Sequence, residues 1–328
     1  MTRRYWRLWK PALGAAVLAV VLWRTGTGPF VAGVRALDAG TLLVGAVLAV
    51  PITLAGAWRW HLVAKGLGAG VEMAPAVASC YRAQFLNVTL PGGVLGDVHR
   101  GVRHGQDVGS TSRGLRSVVW ERLTGQVVQL VIALAVLLAL PSPVQEWMPA
   151  VLVVALSAVL LVVVTAPVPR VRIASRLGTL RRVVGEDLRN GVLRDGAWQG
   201  IAVASTVAMA GHVATYFLAA RAVGVTVSVA TLLPLAVLVL VAAGLPVNLA
   251  GWGPREGMAA WVFGAAGLGV HQGVATATAY GAIVLVASLP GAVVLVVAAA
   301  RRAAARSQSR EDEVLAGAGS TGGGGHDV

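Results

Sequence analysis

Residues 82–103 read RAQFLNVTLPGGVLGDVHRGVR and decide the fold of the chain. The stretch lies among long apolar runs, but it carries polar side chains, several cations and the sequence Pro91-Gly92-Gly93. Proline removes a hydrogen bond from an α-helix and glycine weakens it, so a helix that enters this stretch should end there. At membrane depth, the freed backbone groups are tolerated only where protein or a water-filled cavity covers them. We therefore expect a broken helix and a binding site at this stretch.

The composition is typical of a polytopic membrane protein. Of the 328 residues, 56% are hydrophobic and 12% are charged, and the mean hydropathy is +0.75, which leaves too little polar surface for a soluble domain. The formal net charge of +13 comes from arginines clustered between the apolar runs, as the positive-inside bias produces, and not from a nucleic-acid-binding face. The single cysteine, Cys80, excludes an internal disulfide and a cysteine-rich metal site.

The apolar runs predict an all-α fold with about six full transmembrane helices and two broken, possibly re-entrant segments. The predicted full spans are residues 11–23, 41–58 with a bend at Pro51, 118–140, 149–167, 197–220 and 273–300. The broken segments are residues 73–95 and residues 230–270. The second contains Leu245-Pro246 and then a short apolar run, residues 258–270, which is too short to cross a membrane alone.

Residues next to these runs predict where the helices meet the membrane surface. Trp58-Arg59-Trp60-His61 follows the second span and is typical of an inner interface. Trp120-Glu121-Arg122 opens the span 118–140, where a glutamate near a helix N-terminus is favoured by the helix dipole. Residues 170–194 carry seven arginines, with apolar positions every three or four residues, and predict an amphipathic helix on the inner surface.

The positions of the 27 Lys and Arg residues predict the orientation. With the N-terminus in the cytoplasm and residues 73–95 re-entrant, most cations lie inside and only Arg24, Arg35 and Arg221 lie on outer loops. A full span at residues 73–95 would place the arginine-rich stretches outside. The distribution of Lys and Arg residues does not decide whether residues 230–270 cross the membrane twice or form a re-entrant segment from the outer side.

We expect the chain in the plasma membrane of the cell, and this topology divides it into three regions. Residues 1–10 form a basic cytoplasmic N-terminus, residues 11–300 the transmembrane domain, and residues 301–328 a disordered cytoplasmic tail. We therefore expect both termini in the cytoplasm.

The two broken segments share a short pattern, which makes an inverted repeat one interpretation of the chain. The shared residues, at equal offsets, are Leu90, Pro91, Gly96 and Arg100 in the first break and Leu245, Pro246, Gly251 and Arg255 in the second. Two Pro- and Gly-interrupted segments, one in each half, are typical of transporters with a binding site at the membrane midplane.

Four motifs carry a resemblance to a known family. They are Asn87-x-x-Leu90-Pro91-Gly92-Gly93-x-x-Gly96-Asp97-x-x-Arg100, Glu121-Arg122-Leu123-x-Gly125, Leu245-Pro246 with Gly251-x-Gly253-x-Arg255-Glu256, and Leu289-Pro290-Gly291. With these motifs in order, over residues 42–300, the chain resembles the flippase-like family named for the transmembrane domain of lysylphosphatidylglycerol synthase. In the bifunctional relatives this domain moves aminoacylated phosphatidylglycerol between leaflets, and a separate cytoplasmic domain attaches the amino acid. Only a short tail follows the last predicted span, so we expect the membrane half without aminoacyl transfer.

Nine polar residues at or near the breaks are the candidate substrate-binding residues: Arg82, Asn87, Asp97, Arg100, Glu121, Arg122, Asn248, Arg255 and Glu256. Arg100 and Arg255 lie just beyond the two breaks and are candidates for phosphate contact, because a guanidinium offers paired donors to phosphate oxygens. The alternatives are that Arg100 pairs only with Asp97, three residues away, and that Arg255 is an anchor at the membrane interface.

Structural roles are expected for several of the other candidates. An unpaired Arg82 would be costly in its apolar segment, so a partner such as Glu121 or Asp97 is expected. Glu256 either holds Arg255 in place, which is favoured, or neutralises an amine-bearing headgroup. The side-chain amides of Asn87 and Asn248 should satisfy backbone groups that the breaks set free.

Two histidines near the first break raise the question of a metal site, but the sequence favours a solvated loop. His99 and His104 flank Gly101 and lie near Asp97, but no third well-spaced ligand accompanies them. We therefore expect a solvated loop there, and no metal or cofactor.

Two classes of function fit these residues. The first is a flippase-like translocase, without chemistry, that moves an anionic or aminoacylated phospholipid or a lipid-linked precursor between leaflets. The second is a membrane-embedded enzyme, or an accessory subunit of a lipid-modifying synthase or glycosyltransferase, with Asp97, Glu121 and Glu256 as acids or bases. The sequence shows no nucleotide-binding loop and no nucleophile with a general base at a catalytic spacing, and this favours the first class. The expected partners are anionic membrane lipids, with a separately encoded enzyme and a second copy of the chain left open.

Overall fold

The structure is a computed structural model, and it describes residues 2–147, 182–245 and 248–301. Its α-helices are α1 (Thr2–Thr25), α2 (Gly28–Arg35), α3 (Ala39–Gly66), α4 (Met73–Thr89), α5 (Leu95–Asp107), α6 (Thr111–Ala139), α7 (Ala197–Ala222), α8 (Val229–Ala243), α9 (Pro254–Ala265) and α10 (Val270–Ala287). The described residues contain no β-strand, only an isolated bridge between Leu249 and Trp252. The predicted all-α class is confirmed.

Within the described residues, four helical stretches are long and apolar enough to cross a membrane. They are α3, α6, the stretch Arg182–Ala222 that ends in α7, and the stretch Val270–Arg301 that begins with α10. A bent pair of helices at the N-terminus brings the number to five if it forms one span. The polytopic architecture is therefore confirmed, but the predicted number of six full spans is not. The predicted span 149–167 and the predicted tail beyond Arg301 lie outside the described residues.

The first predicted span differs from the structure because the chain bends sharply after it. Ala12–Thr25 and Gly28–Arg35 meet at 95°. Gly26, with φ +68°, lies at the bend, and glycine adopts such angles without steric cost. Helix α2 then lies directly on α10, since a Cβ at Gly33 would overlap the backbone of Ala275.

The first broken segment is an antiparallel helical hairpin. Helix α4 ends at Thr89, residues 90–94 turn, and α5 returns along α4. Gly96 lies against the backbone of Ala83, and the Arg100 side chain reaches Cys80. Residues at increasing distance from the turn on α4 therefore face residues at increasing distance from the turn on α5, as in an antiparallel pair of helices. The chain thus enters and leaves at the same end of the hairpin, as a re-entrant segment requires.

The second broken segment is also folded back on itself. Helix α8 ends at Ala243 and α9 begins at Pro254, and the two helices pack together through Leu232, Leu235, Val262 and Phe263 in the main hydrophobic core. The first part of the predicted broken segment 230–270 is thus a helix of 15 residues followed by a turn. The apolar run 258–270 lies partly in α9, which has 12 residues and spans Pro254–Ala265. Pro246 lies outside the described residues.

Two helices are longer than predicted, and this moves charged residues from helix ends into helix interiors. Helix α3 continues through Pro51 to Gly66, so Arg59 and Trp60 do not mark its end. Helix α6 begins at Thr111, where the hydroxyl of Ser110 accepts from the N–H of Arg113, so Glu121 lies beyond the first turn where a dipole would favour it. The dipole interpretation of Glu121 was therefore wrong, and α3 continues as a helix beyond the predicted inner interface.

The remaining predictions concern single segments. The predicted span 197–220 is confirmed as α7. The predicted amphipathic helix 170–194 is described only from residue 182, where helical turns continue through a π-helix, Leu188–Leu193, into a short 3₁₀ turn before α7. Helices α3, α6, α7 and α10 pack around the two hairpins, whose tips meet between them.

Candidate functional site

A cavity of about 330 Å³ lies where the two breaks meet. Helices α3, α4, α6, α7 and α10 contribute side chains to its wall. Seven of the nine predicted site residues line it: Asn87, Asp97, Arg100, Glu121, Arg122, Asn248 and Arg255. Glu256 lies behind Arg255, and Arg82 lies outside the cavity wall.

Glu121 is the central carboxylate of the site. It is 2% exposed, and its Oε1 accepts from Arg59 Nε at 3.0 Å and Arg59 Nη2 at 2.5 Å. Its Oε2 accepts from Arg100 Nη2 at 2.8 Å. Arg59 also donates through Nη1 to Ser205 Oγ on α7 at 3.1 Å. Because a buried charge is costly unless it is paired, this carboxylate joins α3, α5 and α6 into one unit.

Asp97 is the second carboxylate, at the start of α5. Its Oδ1 accepts from Arg100 at 3.2 Å, and its Oδ2 accepts from Asn87 Nδ2 at 2.9 Å and lies 2.5 Å from Arg122 Nη2. The other amide atom of Asn87, Oδ1, accepts from the N–H of Gly96 at 2.8 Å. Asn87 thus satisfies a free N–H of the first turn of α5, as expected for a residue beside a break.

Arg100 has more partners than the i, i+3 pair with Asp97. Besides the two carboxylates, it donates from Nη1 to Cys80 Sγ at 3.0 Å and stacks over the Trp60 ring at 4.6 Å. Trp60 in turn donates from Nε1 to Ser117 Oγ on α6 at 3.0 Å. The alternative in which Arg100 pairs only with Asp97 is therefore wrong, because Glu121 reaches it across the helix interface.

Arg255 and Glu256 form a buried pair at the start of α9. Arg255 Nε and Nη2 donate to Glu256 Oε1 at 2.9 and 2.5 Å, and Glu256 Oε2 accepts from the N–H of Gly253 at 2.7 Å. The Arg255 guanidinium also lies 5.4 Å from the Trp252 ring and 5.5 Å from the Tyr280 ring. Glu256 thus holds Arg255 in place. Arg255 is 7% exposed and lines the cavity, so the alternative of an interfacial anchor is wrong.

Asn248 organises the turn of the second break. Its Oδ1 accepts from the N–H of Gly251 at 3.1 Å, and its backbone carbonyl accepts from the N–H of Gly92 at 3.0 Å. On the other side of the turn, Gln126 of α6 donates to the carbonyl of Gly244 at 3.1 Å. The backbone groups freed by the break are satisfied in the way predicted for Asn248.

Two expectations about the first hairpin are corrected. Arg82 is buried, but among the described residues it pairs with neither Glu121 nor Asp97; it donates to Ser79 Oγ at 3.3 Å, because Arg59, Arg100 and Arg122 occupy both carboxylates. His99 and His104 lie on α5 and not in a solvated loop. His104 is buried, 2.7 Å from the carbonyl of Ala69.

The sequence interpretation missed several cavity residues, among them Arg59, His212 and Tyr280. Arg59 was assigned to an interface because tryptophans surround it. His212 lies inside α7, and its Nδ1 is 2.9 Å from the hydroxyl of Tyr280 on α10. The signal that identifies both Arg59 and His212 is an ionisable side chain in the middle of an apolar helix, which is functional by default in a membrane. Tyr280 gave no comparable signal.

The site is rich in positive charge. Four arginines line the cavity, Arg59, Arg100, Arg122 and Arg255, and three carboxylates pair with them, Asp97, Glu121 and Glu256. One positive charge is left over. Each carboxylate accepts from at least one guanidinium. The arrangement is therefore suited to binding an anion in a polar cavity within an apolar protein.

The chain was also compared with known proteins. A search of curated proteins and a search of solved structures each give no match. The model of the family described as "Lysylphosphatidylglycerol synthase TM region" matches residues 7–291, which include both breaks and every residue of the cavity wall. The family indicates a multi-span membrane protein of lipid metabolism. The chain therefore belongs to the family of the lysylphosphatidylglycerol synthase transmembrane region.

Proposed function

We propose that the chain is a lipid translocase that carries a charged headgroup between the leaflets of the plasma membrane through the central cavity. One observation carries this proposal: the two broken segments meet at a cavity lined by four arginines. A headgroup phosphate is costly to move through hydrocarbon as a bare charge. Guanidinium groups in the cavity lower that cost, because they replace the water that the phosphate loses.

The hairpin tips are the proposed moving parts. Their described contacts are few: the hydrogen bond from Gly92 to Asn248 and the packing of Gly93 against the Asn248 amide. By contrast, the ion pair of Arg100 with Glu121 fixes the first hairpin to α6, and Glu121 in turn pairs with Arg59 of α3. Regions with few buried contacts open at low free-energy cost. Separation of the tips therefore gives the headgroup a path, while the charged pairs keep the binding residues in position.

The orientation proposed for this carrier follows the arginine distribution. Both termini lie in the cytoplasm, and the first hairpin opens toward that side. The working unit is a single chain or a dimer, and a separately encoded lipid-modifying enzyme is a fitting partner. A role as the accessory subunit of such an enzyme is the second candidate, because a headgroup held in the cavity is also presented to a neighbouring active site.

Leaflet exchange in liposomes tests the proposal. The purified chain is reconstituted with phospholipids that carry a fluorophore on an acyl chain, and a membrane-impermeant reductant reports the fraction that reaches the outer leaflet. The variant is Arg122→Gln, because half of the Arg122 side chain is exposed and the substitution should leave the fold intact. The matched control is Arg182→Gln, whose side chain is 73% exposed and lies outside the cavity.

We expect exchange faster than in empty liposomes, lost in Arg122→Gln and kept in Arg182→Gln. Exchange at the rate of empty liposomes for every anionic lipid would contradict the translocase. If mass spectrometry of the recovered lipids shows a chemically changed headgroup, the enzyme alternative would replace the translocase proposal.

A further inference from the structure

We infer that a second anion site lies on a flank of the first hairpin, outside the central cavity, and binds the phosphate of an anionic phospholipid. Three basic side chains form this hairpin-flank site: Arg82 of α4, and His99 and Arg103 of α5. None of the three lines the cavity. The inference uses the membrane orientation proposed above, but it does not depend on translocase activity, because it concerns a different surface of the hairpin.

The antiparallel packing of α4 and α5 brings the three side chains together. Gly96 packs against the backbone of Ala83, the residue after Arg82, and His99 follows Gly96 by about one helical turn. His99 and Arg103 are four residues apart and therefore share a face of α5. The charges of Arg82 and Arg103 both act on His99. The hairpin-flank site is thus built from both helices of the hairpin.

Arg82 is a buried cation without a described carboxylate partner. The residue is 6% exposed, and its hydrogen bond to a described residue runs from Nη2 to the neutral hydroxyl of Ser79 at 3.3 Å. Its buried Nε has no hydrogen-bond partner among the described residues. Residues 148–181 and 246–247, between the described ranges, contain no Asp or Glu. Because a buried charge is costly unless it is paired, this guanidinium indicates a ligand of negative charge.

The acidic residue whose charge acts on Arg82 does not neutralise the site. This residue is Asp107, which ends α5 four residues after Arg103. Asp107 is exposed, and the ion pairs between described residues include neither Arg82 nor Arg103. Two guanidinium groups thus stand against one exposed carboxylate. The excess positive charge attracts an anion, and guanidinium groups are well suited to phosphate oxygens.

The neighbouring apolar side chains favour a lipid over a free phosphate. Leu95 and Val98 are 44% and 47% exposed and lie on the face of α5 that carries His99. They lie toward the tip of the hairpin, whereas Arg103 lies toward its base. With the base at the cytoplasmic surface, the apolar side chains lie deeper in the membrane than the cations. An anionic phospholipid has the same order, since its acyl chains lie below its phosphate.

A lipid at this position contacts the helix that also serves the cavity. Helix α5 carries Asp97 and Arg100 in the cavity wall and His99 and Arg103 in the hairpin-flank site. A phosphate held between α4 and α5 joins the two helices near their base. The site is therefore suited to fixing the first hairpin at the membrane surface.

Native mass spectrometry of the full chain in a neutral detergent tests the inference by counting bound phosphatidylglycerol molecules. The variant is Arg103→Gln, because Arg103 is partly exposed and the substitution should leave the fold intact. The matched control is Arg113→Gln, which removes the same charge from an exposed position at the start of α6. Arg103→Gln should bind one lipid less than the wild type, with the affinity of that site reduced about tenfold, as for a lost hydrogen bond to a charged group. Arg113→Gln should bind like the wild type.

The variant Arg122→Gln separates this inference from the translocase proposal. It removes a cavity arginine and should weaken a different bound lipid from the one that Arg103→Gln weakens. Equal lipid counts for the wild type and Arg103→Gln would overturn the hairpin-flank site, whatever Arg122→Gln does. A count that falls in Arg103→Gln but not in Arg122→Gln would support the hairpin-flank site and argue against the cavity as a lipid site.

Thermal unfolding of Arg82→Gln gives a second, independent test. Glutamine can still hydrogen-bond to Ser79 but carries no charge. Without lipid, the variant should melt at or above the temperature of the wild type, because it buries no unpaired cation. With short-chain dihexanoyl phosphatidylglycerol, the wild type should gain more in melting temperature than the variant. Dihexanoyl phosphatidylcholine and inorganic phosphate, tested separately, should not reproduce this difference.

Two results of the unfolding experiment would overturn the inference. If Arg82→Gln melts lower than the wild type by the same amount with and without lipid, Arg82 has its partner within the chain, such as the acidic residues 311–313. If inorganic phosphate produces the whole difference, the site binds a free anion and not a lipid.

Discussion

The N–H of Gly92 donates to the carbonyl oxygen of Asn248 at 3.0 Å, and this hydrogen bond joins the two breaks of the chain. The two residues are far apart in sequence, yet each lies in a turn between two short helices. Backbone groups freed at one break are thus satisfied by the other. The cavity and its arginines lie around this contact, so its strength bears on stability and, in the proposed translocase, on transport.

Gly93→Ala should weaken the contact between the tips. Gly93 has φ +62°, and a Cβ there would overlap the side-chain amide of Asn248. The matched control is Gly68→Ala, since Gly68 has φ +66° with open space around it. Both substitutions carry a left-handed strain of about 1–2 kcal/mol, and only Gly93→Ala also displaces Asn248. Thermal unfolding in detergent should show the larger loss for Gly93→Ala; equal losses would mean that the tips do not touch.

Glu121→Gln should strongly destabilise the protein. The substitution leaves Arg59 and Arg100 buried without the charge that both share, and breaking such a buried pair typically costs about 3–5 kcal/mol. Glu186→Gln is the control, because Glu186 is largely exposed and its ion pair with Arg182 spans 4.0 Å. Surface changes of that kind usually stay within about 0.5 kcal/mol. Reversible unfolding in mixed micelles gives both values, and similar losses would argue against a central role of Glu121.

Glu256 is expected to have two separable roles. Glu256→Gln removes the charge that pairs with Arg255 but keeps an oxygen that can accept from the N–H of Gly253. Glu256→Ala removes both. The alanine variant should therefore be less stable than the glutamine variant by about 1 kcal/mol, the usual contribution of a helix cap. The same unfolding assay measures the difference, and two variants of equal stability would show that the cap contributes nothing.

The hairpin topology predicts which residues face the cytoplasm. In a Cys80→Ala background, Glu72→Cys and Asp107→Cys flank the first hairpin and should be labelled from the cytoplasmic side by an impermeant maleimide. Glu146→Cys lies beyond α6, at its other end, and should be labelled from the outer side. Labelling of Glu72→Cys and Asp107→Cys from opposite sides would show that residues 73–107 cross the membrane once.

Much of this architecture follows from local sequence. Pro91 with its two glycines ends α4, because neither residue type supports a helix ladder, and the apolar runs of α3, α6 and α7 predict spanning helices by length alone. The same local rules placed Arg59 and Glu121 at helix ends. Tertiary pairing overrides that placement, because each charge finds its partner inside the bundle and the helices can continue past it.

The sequence by itself determined the class of the protein, its two breaks and most of the residues around the cavity, since hydropathy, proline and glycine act over a few residues. Only the tertiary structure decided which charges pair. Arg82 and Arg59 are both cations in apolar segments, but Arg59 faces Glu121 and Arg82 faces Ser79. Partner choice depends on the direction of a side chain across a helix interface. Residues that are distant in the chain set that direction, so spacing along the chain does not contain it.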